Sequence, residues 1–229
     1  MVTILRQRVV KTTGLSIIDP NNSESIVWIS YVYAHSGKAS AARPLISRLL
    51  EIDPLNPINY FWAGLLELMD GKFDVGLKEL SKAEQMQKEN PLFRYWIAKG
   101  LAYAQNYEGA FKLFDQIQVE SPAFGWFPLG TFFKFALQNK KSKALENISA
   151  EFKMAMKEDE ILPIWMAEIY SLIKEKNEAI DWIEQGVKWG FINYPFLMEY
   201  DIFLVNIRSE ERFKKLMERV KYEWENFEV

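Results

Sequence analysis

The chain contains no cysteine and a single histidine, His35. The first absence excludes a disulfide framework and any thiolate metal site, and with one histidine the common zinc sets cannot be assembled. No apolar run approaches the roughly 18 residues that a membrane-spanning helix needs. Charge of one sign is also scarce. Lys and Arg number 28 against 31 Asp and Glu, a formal net charge of −3, which argues against a strongly basic nucleic-acid face. Catalytic signatures are missing as well: there is no GxSxG elbow, and none of the Gly-rich loop, HRD or DFG motifs of a kinase. One histidine is not a constellation, so His35 is expected to pack, and the chain is expected to be non-catalytic and to need no metal or cofactor.

What the sequence has is a period. Trp28, Trp62 and Trp96 are 34 residues apart, and Asn56-Pro57 recurs as Asn90-Pro91 at the same step. A small residue opens the second half of each unit, at Ala42, Gly76, Ala110, Ala144 and Ala179, in steps of 34, 34, 34 and 35. Ile18-Asp19-Pro20 returns as Ile52-Asp53-Pro54, and Pro122 falls two periods after Pro54. Several independent ladders in one phase define a repeat architecture. Hydrophobic residues at 49% and charged residues at 26% fit a folded chain rather than a disordered one.

Each unit reads as two amphipathic helices joined by a tight turn. In the central unit Tyr60, Ala63, Gly64 and Leu68 mark a first helix, Gly71 breaks it, and Leu77, Leu80 and Ala83 mark a second. Small residues at Gly64 and Gly76 let the two backbones approach. Such a pair cannot bury its apolar face alone and must stack on its neighbours. The expected fold is therefore all-α, a right-handed α-solenoid of antiparallel helix pairs with a C-terminal capping helix.

Residues 1–193 form the expected solenoid, with a half unit at 1–22 and five units from residue 23. Leu5, Val9, Leu15 and Ile18 fit the second helix of a unit, which suggests a chain cut from a longer one, the alternative being a natural N-terminal cap. Ser23 and Ser25 are candidate caps for the first full unit. Pro128 delays the first helix of unit four to about Phe127, and Pro163 acts likewise in unit five. Residues 194–229 form the expected cap: a short helix ending near Ile207, then a last helix capped by Ser209. Its stripe Phe213, Leu216, Met217, Val220, Trp224 and Phe227 should pack on the segment 196–207 or on the fifth unit.

These residues resemble the tetratricopeptide repeat, through Ala63-Gly64, Gly71-x-Phe73, Gly76, Leu80 and Ala83, then Ala98, Tyr107, Ala110, Phe114 and Pro122. The closing stretch, Gly190 to Leu197, then Asp201-x-x-Leu204-x-x-Ile207-Arg208 and Arg212-Phe213-x-x-Leu216-Met217-x-x-Val220, resembles the end of tetratricopeptide regions attached to bacterial serine/threonine protein kinases and related regulators. Ile202 stands where those regions usually have proline. The resemblance implies an interaction region of a bacterial signalling protein, with a protein or peptide as partner, no nucleic acid or membrane partner, and a cytoplasmic location.

The same resemblance assigns the concave groove. It places Phe61, Leu65, Tyr95, Lys99, Tyr103, Trp126 and Phe133 on that face, an apolar and aromatic lining with few charges. Val27 and Tyr31 stand where carboxylate-gripping members carry Lys and Asn, so that mode is rejected. An apolar groove suits an amphipathic helix or hydrophobic peptide. Three alternatives remain open: an apolar small molecule that regulates an attached catalytic domain, a second copy of the chain, and the chain itself. External binding requires Phe61, Tyr95 and Phe133 to be substantially exposed.

Overall fold

The computed structural model describes residues 22–122, 127–146 and 148–228, so the expected half unit at 1–22 lies almost wholly outside the described residues. Within them the chain is helical and has no strand. Five helix pairs follow one another. They are α1 (Ser23–His35) with α2 (Ala39–Ile52), α3 (Pro57–Met69) with α4 (Phe73–Met86), and α5 (Pro91–Tyr103) with α6 (Tyr107–Glu120). The fourth joins α7 (Phe127–Leu137) to α8 (Lys141–Leu145), and the fifth joins α10 (Leu162–Leu172) to α11 (Lys176–Trp189). The two helices of each pair pack on each other, α2 packs on α3, α4 on α5, α6 on α7 and α7 on α10, and α1 also touches α3, which is the stacking of an α-solenoid.

The period is enforced at the turn inside each pair. Gly37, Gly71, Gln105, Asn139 and Lys174 all have positive φ, between 58° and 74°. After each, one N–H reaches back five residues: Lys38 to the Tyr33 carbonyl at 2.8 Å, Lys72 to Glu67 at 2.9 Å, Asn106 to Leu101 at 2.8 Å, Lys140 to Phe135 at 2.9 Å and Glu175 to Tyr170 at 2.9 Å. This pattern satisfies carbonyls that a helix end leaves open and reverses the chain in three residues. The entry to each first helix is equally local. Asn56 and Asn90 accept the N–H groups of Ile58 and Leu92, each at 3.0 Å, and the prolines after them occupy positions where no donor is lost. Between α3 and α4 the backbones touch: a Cβ on Gly64 would lie 2.8 Å from the Gly76 carbonyl oxygen.

Three expectations are corrected. Asn22, not Ser23 or Ser25, caps α1, accepting the Ser25 N–H at 2.8 Å. The second helix of unit four is not continuous: α8 stops at Leu145, and α9 (Ala150–Ala155) restarts with Ser149 as its cap. The last helix, α12 (Glu211–Glu225), starts after Glu210 without a side-chain cap, so Ser209 does not serve.

Beyond Gly190 the chain turns back over the inner face of the solenoid. Ile192 N–H donates to the His35 carbonyl at 3.1 Å. The Asn193 side-chain amide donates to the Ala34 and Met69 carbonyls at 3.0 and 3.1 Å, joining the ends of α1 and α3. No regular helix follows. Residues Phe196–Tyr200 make a π-helical turn, closed by the Asp201 N–H on the Phe196 carbonyl, and Ile202–Leu204 make a 3-10 turn. Helix α12 packs on α11, as expected of the closing stripe, but it also reaches the first unit. Trp224 donates its indole N–H to the Gly37 carbonyl at 3.3 Å and stacks on Tyr194.

This return explains which turns carry glycine. A Cβ on Gly37 would come within 2.7 Å of Asn193 Oδ1, and one on Gly71 within 2.6 Å of the Tyr200 ring. Gln105, Asn139 and Lys174 hold similar φ values without being glycine. Gly71→Ala is therefore expected to lose about 2 kcal/mol or more, from strain plus contact. Gln105→Gly is expected to be neutral or to gain up to about 1 kcal/mol. Urea unfolding of the two variants checks the contrast, which equal losses would contradict.

Candidate functional site

The described members of the expected groove come together on the inner faces of α3, α5 and α7. They are not accessible there. Phe61, Leu65, Tyr95, Lys99, Tyr103 and Phe133 are each between 1% and 4% exposed, and Trp126 lies outside the described residues. The exposure that external binding requires is thus corrected, and the reason is an internal occupant. Helix α10 sets Trp165 against Tyr95 and Trp96, with ring centroids 5.2 and 5.0 Å apart. The returning segment sets Phe203 against Tyr103 at 5.2 Å and Phe133 at 4.9 Å, with Phe196 against Tyr103 at 5.8 Å. Phe61 is covered by its neighbours Trp62, Phe93 and Trp96.

Charge lies at the middle of this aromatic seam. Lys99 Nζ is 3.9 Å from the centroid of Phe133, 4.9 Å from Tyr103, 5.7 Å from Phe203 and 5.9 Å from Trp165. Rings that present their negative faces to an ammonium partly replace its lost water. The rest of the compensation comes from Glu168 on α10, whose carboxylate accepts from Lys99 through one oxygen and from the Tyr103 hydroxyl through the other, at 2.5 Å. Both members of the ion pair are buried completely. A second acid is close by. Asp201 accepts the Phe203 N–H at 2.9 Å through Oδ1, which caps the 3-10 turn. Arg208 grips the same turn from outside, donating to the Asp201 carbonyl at 2.8 Å.

The electrostatics follow from burial. Burial raises the Glu168 carboxyl, and Lys99 and the Tyr103 hydroxyl oppose that rise. Asp201 is pushed well above the usual carboxylate range by burial and by the negative charge of Glu168. Tyr95 and Tyr103 are raised by the same two causes, burial first. The groups touch each other and are sealed from solvent, so the arrangement can bind elements together and hold a proton. It offers no surface to a substrate.

His35 packs, as its isolation predicts. It is 1% exposed, its ring lies 3.9 Å from that of Tyr31, and Nδ1 is 2.8 Å from the Tyr31 carbonyl oxygen. Sequence reasoning did not find Glu168, Asn193 or Asp201 as seam residues. A signal existed for the first: Glu168 is the only charged residue between Leu162 and Ile173. A surface cleft of about 410 Å³ near α9 has Tyr170 and Trp182 on its floor, but Lys153 and Lys157 of the same chain already lie over those rings.

No family model matches the sequence, and no curated protein is similar to it at the sequence level. Solved structures are similar in fold. One, the APC/C hetero-tetramer Cut9-Hcn1, superposes with a TM-score of 0.62 at 14% identity, over 97% of this chain and 42% of that one. Another, pilF of Pseudomonas aeruginosa, gives 0.49 at 14% identity, over 90% and 93%. The first likeness establishes the fold as a tetratricopeptide-type α-solenoid. This chain spans less than half the length of the Cut9-Hcn1 chain it matches.

Removing Lys99 alone should strand a buried carboxylate. Lys99→Met is expected to cost about 3–5 kcal/mol. Lys99→Met combined with Glu168→Gln removes both charges, keeps an acceptor for Tyr103, and should recover most of that loss. A double-mutant cycle by urea denaturation measures the coupling; additive losses would show that the pair does not act as a unit.

Proposed function

We propose that this chain is a non-catalytic protein-interaction scaffold that engages its partner with its outer rim, while its groove is committed to its own C-terminal half. The observation that carries the reading is the burial of the groove residues under Trp165, Phe196 and Phe203, which leaves an external helix no way in. Residues Phe61, Leu65, Tyr95, Lys99, Tyr103 and Phe133 then serve as an internal receptor, and 194–229 as a cap on the same solenoid.

The rim where second helices pass to the next first helix supports the outer contact. Leu55 and Val119 are 81% and 79% exposed, and Ile52 and Met86 lie half-exposed at equivalent positions one period apart. Glu51, Asp53 and Glu89 stand exposed among them, while Glu120 is paired with Arg94. The surface fits a partner segment that sets Lys or Arg beside aliphatic side chains, and its binding should weaken with salt. The resemblance of the closing segment to regions attached to bacterial kinases supports a place in a signalling protein.

The test compares partner capture by the wild-type chain and by Leu55→Asp combined with Val119→Asp. Exposed positions should change stability by no more than about 0.5 kcal/mol each. A partner retained by the wild type, released by moderate salt and lost from the variant at unchanged melting temperature is the expected outcome. A partner held equally by both would place the contact elsewhere and defeat the rim assignment.

A further inference from the structure

Two carboxyl groups meet where the returning segment enters the seam, with the Lys99 ammonium between the helices and the Arg208 guanidinium farther out. Asp201 stands at the junction of the π-helical and 3-10 turns. Its Oδ1 caps the Phe203 N–H, while Oδ2 is buried, has no well-formed hydrogen bond, and belongs to a carboxyl that interacts directly with Glu168. The charged and titratable groups around it are Lys99 and Tyr103 from α5, Glu168 from α10, and Arg208 from the turn that follows. Lys99 is already engaged by Glu168 and by four aromatic rings. Arg208 acts on Asp201 as a charge, the least of the influences around it, and its hydrogen bonds run from Nη2 to the Leu197 and Asp201 carbonyls. With both acids ionised, two negative charges would share one buried ammonium, and adjacent buried carboxylates do not both ionise readily.

We propose that Glu168 and Asp201 hold one proton between them, carried on Asp201 Oδ2 and directed at Glu168, and that this proton latches the segment 196–207 onto the solenoid. The direction of its pH dependence is fixed. A carboxyl raised in the folded state contributes most below its unfolded value and loses that contribution as pH rises through the folded one. The latch is therefore tight on the acid side and loosens toward alkaline pH. Apolar contact at the buried Phe196, Leu197, Phe203 and Leu204 also holds the segment, so loss of the proton makes local opening more frequent without unfolding the chain. The segment is suited to it: π-helical and 3-10 turns hold the backbone less well than an α-helix does. Opening would uncover Lys99 and the rings around it, so access to the seam is coupled to the proton.

Hydrogen exchange of the full chain tests this, followed by mass spectrometry from about pH 5 to about pH 9 and corrected for intrinsic exchange. Protection of amides 196–207 should fall about tenfold or more relative to those of α3 and α4. In Asp201→Asn the amide keeps the cap on Phe203 and supplies the permanent donor to Glu168, so protection should persist across the range. Parallel loss in both proteins, or no loss in the wild type, would overturn the latch. A second measurement needs no variant: the infrared carbonyl stretch of a protonated carboxyl should be present in the wild type at neutral pH and vanish as protection falls. Its absence at neutral pH overturns the proposal even if Asp201→Asn does not fold.

Discussion

The inner face of this row of helix pairs carries apolar and aromatic side chains, and removing them from water is what the rest of the fold is arranged to do. This constraint governs the rest of the molecule. Stacking supplies each pair with neighbours along the row but leaves the concave side open. Here the chain covers it with α10 and the segment after Gly190, and the depth of that cover is visible in the burial of a whole lysine side chain at Lys99. The ammonium is tolerated because four rings and one carboxylate surround it. An ion pair so placed adds little net stability over an apolar pair, but it tolerates few alternative arrangements. It joins α10 to α5 through Glu168 and Lys99.

Function follows from what is left over. Once the groove is internal, the rim and the outer helix faces are the surfaces a partner can meet. The irregular backbone between Phe196 and Leu204 has the same origin: a straight α-helix would set Phe196 and Phe203, seven residues apart, on one face and leave Asp201 about 140° away from them, and the π-helical and 3-10 turns instead bring Asp201 to the same seam.

The legible part of the fold was the local part. Turns, caps and small-residue contacts obey chemistry within one period, so Asn56-Pro57, the breaks near Gly71 and Asn139, and the late start of α7 at Phe127 can be read along the chain. The groove positions were legible as a face, since they follow from helical periodicity and the family frame. Their occupant was not. Lys99 and Glu168 stand at equivalent positions two units apart, but a shared position does not say that two first helices touch, and Asn193 meets Ala34 across 159 residues with no period between them. Gln105 and Lys174 hide their left-handed turns because both side chains are exposed, so no close contact demands glycine among the described residues.

The bond from Trp224 to Gly37 joins residues 187 apart in a fold whose other contacts are mostly between adjacent units. An open solenoid behaves as a one-dimensional array, in which terminal units fray and the array can melt piecemeal. Tying the last helix to the turn after α1 links the two ends of the described array. Units linked in this way come apart less readily one after another. The molecule instead gains the long-range closure of a globular domain, with the slower folding and more nearly all-or-none unfolding that high contact order brings.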